Sequence, residues 1–126
     1  MRIRSMLALL ALGSCLAAAG PRPTLAGPAT RHDGAVAAVD VGTRQLVIRE
    51  YGAGGRAFDF PVHVSPDARI VVSRRNENAT DVQHAFVEAP VRLADVQHGD
   101  FVVVDVTGHG RQAETHSVVV TLRSGR

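Results

Sequence analysis

The sequence predicts an all-β domain: one small barrel of five or six strands with a single short helical turn. Three observations point that way. Apolar residues recur with a period of two, most clearly where Phe58, Phe60, Val62 and Val64 alternate with Asp59 and His63. Short valine-rich runs are separated by glycine-rich turns. The runs come as three strands, a helical turn and two strands, which is the order of an OB-like barrel. Closure would also remove the open sheet edges through which a valine-rich chain pairs with its neighbours. An open antiparallel sandwich of five or six strands is the competing architecture.

The strands are read in order. Residues 34–41 are small and valine-rich, and residues 40–44 form a turn. Residues 45–50 make a second strand, and the glycine-rich stretch 51–55 turns it back. The third strand, 58–64, contains Pro61, which cannot donate a ladder hydrogen bond, so a bulge or an unpaired stretch is expected there. Residues 69–73 are a further short strand or an extension of the third. Residues 74–83 are polar and loop-like, and 84–91 read as a short extended insertion. Residues 92–97 make one helical turn with Leu93 and Val96 inward, stopped by His98, Gly99 and Asp100. Strands follow at 101–107 and 112–122, joined by a glycine turn.

Ahead of this domain the chain has a different character. Arg2 and Arg4 precede residues 5–19, an uncharged apolar stretch that ends in small residues. That is the pattern of an export signal. It is shorter than the roughly 20 apolar residues of a spanning helix. Cleavage after Ala19 is expected, with a later alternative after Ala26. A third reading takes residues 12–15 as a lipobox and Cys15 as the lipidated residue. Residues 20–32 hold three prolines and two glycines in thirteen positions and read as a disordered leader or tether. The folded domain is therefore expected over residues 33–124, in an exported protein that is periplasmic or secreted, or held at the outer membrane if Cys15 is lipidated.

Composition narrows the function. The formal net charge of +2 includes Arg2 and Arg4; without them twelve arginines face twelve acids. A zero balance gives no long-range attraction to nucleic acid. No nucleic-acid partner is expected, and no transmembrane span. Both methionines, Met1 and Met6, and the single cysteine lie in the signal, so the processed chain has no soft sulfur ligand and no internal disulfide.

Gly34, Val36, Val39 and Asp40, then Asp67 and Ile70, then Leu93, Asp95, Gly99 and Asp100 form a recurring pattern of turns and core positions. In these residues the chain resembles a bacterial family of exported domains catalogued as domain of unknown function 5666. The resemblance spans about residues 33–122. It implies an exported OB-like barrel and assigns no reaction and no cofactor. A weaker similarity links the strand order, and the Gly-Asp before the fourth strand, to periplasmic copper- and silver-binding small barrels. Those use His, Met and Trp. This chain has no Trp and no Met beyond the signal, so their soft-metal site does not carry over.

No nucleophile motif or catalytic carboxylate pair is visible, and the chain is read as non-enzymatic. A binding role falls to the loops expected at one barrel end, 42–44, 52–56 and 108–112. Arg44, Arg56, His109 and Arg111 would supply donors there to an envelope or extracellular protein, polymer or small ligand. The alternative is a metal held by His63, His109 and His116, with Asp59 as a further candidate. The third and fifth strands of an OB barrel are neighbours, which would bring His63 and His116 near each other, but their sequence spacing enforces no site.

Overall fold

Residues 28–125 are described by the structure, a computed structural model. The segment read as an export signal, Cys15 and most of the segment read as a leader lie outside them. The alternation read in the sequence becomes a barrel wall. β1 (Thr30–Asp40) pairs antiparallel with β2 (Gln45–Tyr51), and β2 with the first part of β3 (Ala57–Arg75). β5 (Phe101–Thr107) pairs antiparallel with β1 and with β6 (Glu114–Leu122). A parallel pairing of β3 with β6 closes the ring. β4 (Phe86–Pro90) is added at the outer edge of β3. The helical turn is a 3-10 turn at Leu93–Asp95, between the third and fourth barrel strands, and Leu93 and Val96 are buried there as expected.

Inside the ring, Val36, Leu46, Ile48, Val62, Val64, Val102, Val104, Val118 and Val120 form a core with almost no exposure. Aliphatic β-branched residues dominate it because they suit a pleated, half-buried wall. Gly34 belongs to this wall for a steric reason. A Cβ at that position would collide with the Arg49 carbonyl oxygen and with Ile48 Cγ2, so only glycine lets β1 and β2 approach there.

Asp40, Asp95 and Asp100 are turn braces. Asp40 accepts the Thr43 N–H at 3.1 Å, and Asp95 accepts the Arg92 N–H at 2.9 Å; these bonds hold both carboxyls below the usual range. Asp100 is fully buried. Burial opposes its ionisation, but the N–H groups of Ser124 (2.8 Å) and Gln97 (2.9 Å) outweigh it, and the carboxyl sits below the ordinary value. The neighbouring backbone extends β1: Gly99 N–H donates to the Val36 carbonyl, and Val36 N–H to the Asp100 carbonyl. Gly99 does so at φ +88°, a left-handed conformation that favours glycine.

Three expectations are corrected and one open alternative is decided. β1 starts at Thr30, not near Asp33: Thr30, Arg31 and His32 pair with Val106, Asp105 and Val104, so the end of the presumed leader is wall. Pro61 makes no bulge. The β2–β3 register runs unbroken through Val47↔Pro61, and the irregularity falls between Val64 and Arg69 on the β6 side. Residues 69–73 are part of one long β3, and the polar stretch after them is a loop that returns as β4. Phe58 has the parity of the wall but is exposed, because the β2–β3 hairpin runs past the end of the core.

Candidate functional site

The turn between β1 and β2, the outer face of β3 and the β5–β6 connection meet around one hollow. Thr43 and Gln45 come from the first, Pro61 and His63 from the second, and Gly110, Arg111 and Ala113 from the third. Its volume is about 280 Å³, near the lower end of the roughly 300–1,000 Å³ of small-molecule sites. His63 reaches it because its neighbours Val62 and Val64 point inward, so strand alternation sends the imidazole out. The backbone fixes this corner: His63 N–H donates to the Ala113 carbonyl at 2.9 Å, and Val64 N–H to the Arg44 carbonyl at 2.8 Å. The walls thus present a hydroxyl, an amide, an imidazole and a guanidinium, a set rich in donors and suited to oxygen-bearing ligands.

The candidate residues separate into different roles. Arg111 lines the hollow. Arg44 does not donate into it. At φ +55° its side chain turns back, with Nε donating to the Val64 carbonyl and Nη2 to the Ser65 carbonyl, both at 2.9 Å. It braces the turn. His109 precedes the 3-10 turn Gly110–Gln112 in an extended conformation, exposed and outside the lining. Arg56 closes the β2–β3 turn through its carbonyl, which accepts the Gly52 N–H at 2.8 Å, and is exposed elsewhere on the surface. The three loops therefore do not share one end. Loops 42–44 and 108–112 flank the hollow, while Gly52 borders another hollow with Tyr51 and Phe58.

The histidines of the metal alternative do not converge either. β3 and β6 are neighbours, but their register sets Glu114 beside His63. His116 Nδ1 lies 3.1 Å from Asp67 Oδ1, and its Nε2 is 3.9 Å from Glu114 Oε1. Ser65 Oγ donates to the same Asp67 carboxylate, and with His116 holds it below the ordinary range. Asp59 is taken by Arg49 in a two-pronged pair at 2.8 and 3.0 Å. Among the described residues no group of three or more His, Cys, Asp and Glu is arranged to hold a metal ion.

One polar contact went unread in the sequence. His32 faces inward on β1, its Nδ1 2.8 Å from Glu50 Oε1 and its ring stacked on Phe60 with centroids 4.3 Å apart. The signal that marks it is the period of two from His32 through Gly34 to Val36, which extends the strand back into the proline-rich segment.

No family model and no curated protein matches the sequence. Among solved structures, a Cu(II)-bound tryptophan-to-alanine variant of CusF from Escherichia coli has a TM-score of 0.48 and 11% identity, over 75% of this chain and 92% of that one. The Ag(I) form of CusF has a TM-score of 0.47 and 11% identity, over 74% and 97%.

Proposed function

We propose that the chain is an exported, non-enzymatic binding module that receives one polar unit of an envelope protein, polymer or small ligand in the hollow beside His63. The observation that carries this reading is the convergence of Thr43, Gln45, His63 and Arg111 from three separate segments. Two of those segments, the β1–β2 turn and the β5–β6 connection, are the loops through which OB barrels commonly bind oligomeric ligands. A volume near 280 Å³ suits a single sugar ring or side chain rather than a large cofactor. Export rests on residues 1–19, and lipidation of Cys15 is the branch that would hold the module at a membrane surface. Among the described residues no helix is long and apolar enough to cross a membrane. The motif pattern is what supports a likeness to the exported-domain family named above; three of its acids, Asp40, Asp95 and Asp100, hold turns.

Amide chemical-shift titration with muropeptides and with acidic oligosaccharides tests the reading. Saturable shifts at Thr43, Gln45, His63 and Arg111, lost in Arg111→Ala and weakened in His63→Ala, are expected. A ligand that maps elsewhere, or binding indifferent to both substitutions, overturns it.

A further inference from the structure

We propose that a second site, the groove between the end of β6 and the β3–β4 hairpin, binds an extended acidic peptide segment of a partner protein. β3 leaves the barrel at Val72. Its pairing with β6 ends at Val72↔Val120, while its pairing with β4 continues to Arg75↔Phe86. β6 meanwhile stays beside β5 as far as Leu122↔Phe101. The two strands part, and a groove of about 410 Å³ opens between them. Past Val72 no residue of β6 pairs with β3, so residues 73–75 offer a strand edge to whatever enters.

Two chemistries share this groove. Phe86 and Leu122 are 66% and 68% exposed, large apolar side chains left in water along the groove. Arg74, Arg75 and Arg123 line the same groove, and no acid does. Arg123 is held by the Asp95 carbonyl and by Asp100. Neither Arg74 nor Arg75 takes part in an ion pair among the described residues; the acid nearest along β4, Glu88, is engaged by Arg69. The complement of this surface is an extended chain. Its backbone groups pair with the open edge of β3; on one face an apolar and an acidic side chain meet Leu122 and Arg74, and on the other a second such pair meets Phe86 and Arg75. A concave groove with an unpaired strand edge suits a peptide better than a lipid surface, which has no backbone to offer.

The test uses a capped octapeptide of the repeat Glu-Glu-Val-Val, which carries both residue types on each face, titrated into the protein at low salt and followed by amide chemical shifts. Saturable shifts at residues 73–75, 86 and 121–123 are expected. Combining Arg74→Glu with Arg75→Glu should weaken binding by about tenfold or more, while amide shifts of the barrel core stay in place as the check on folding. The corresponding Lys-Lys-Val-Val peptide should not bind. Absence of saturable shifts, equal binding of the lysine peptide, or binding undiminished in the double variant overturns the proposal. So does preferential binding of phosphatidylglycerol vesicles through these residues, or dimerisation that covers the groove without peptide. Shifts confined to residues 43, 45, 63 and 111 would also overturn it and would bear on the hollow beside His63 instead.

Discussion

The two halves of β3 belong to one continuous strand but to different environments. Residues 57–64 line the barrel with β2 on one side, and toward the core exposed and buried residues alternate there, ending in Val62 and Val64. In residues 69–75, Ile70, Val71 and Val72 are buried in succession, and Arg74 and Arg75 follow in the open. Val71 lies outside the barrel core yet is buried, while Ile70 and Val72 belong to that core, so both faces of this stretch are dry. A wall wet on one face reads as alternation, and a strand covered on both faces reads as a continuous apolar run. The first half joins β2 to the wall; the second completes the closure against β6 and carries β4 away from it.

That contrast can be broken most severely in the half paired with β2. Leu46 lies opposite Val62 and is fully buried, so Leu46→Ala should lower the unfolding free energy by about 2–5 kcal/mol in urea denaturation. A loss below about 1 kcal/mol would mean that this face is not the core.

The next effect is expected where β6 is held away from β3. Asp100 anchors Ser124 and Arg123, and with them the end of β6. Asp100→Ala should cost about 1.5–3 kcal/mol, the range of hydrogen bonds to a charged group. It should also disturb the amide shifts of residues 121–124 more than those of β2. Equal disturbance of both would show that the clamp serves the whole barrel.

The same carboxylate predicts a pH dependence. Its folded pKa is depressed, so its stabilisation is complete above the ordinary carboxylate value of about 3.9 and is lost as pH falls through the lower folded value. Asp100→Asn should therefore flatten the acid side of the stability profile and leave its slope near neutrality unchanged. A slope below pH 4 identical to that of the parent would assign acid sensitivity to other groups.

The smallest effect belongs to the outer half. Phe86 is largely exposed on β4, and Phe86→Ala should change stability by no more than about 0.5 kcal/mol. A loss above about 1 kcal/mol would make β4 part of the folding unit rather than a platform added to it.

By itself the sequence determined the local features. A period of two in residues 58–64 made a wall, and the turns at 40–44 and 51–55 appeared where glycine and Asp40 put them. Leu93 and Val96 were inward because one helical turn sets them on the same side. These are properties of neighbouring residues, and hydrophobic spacing and turn chemistry express them directly. Tertiary structure alone decided what meets across the barrel. His32 joined the wall by pairing with Val104, far along the chain. The β3–β6 register set Glu114 beside His63 and left His116 to Asp67. Arg44 found the carbonyls of Val64 and Ser65 and became a brace, while Arg111 was left to line the hollow with His63. The physical reason is register: pairing and closure are set by contacts between distant segments, and a shift of one residue sends every side chain of a strand to the other face.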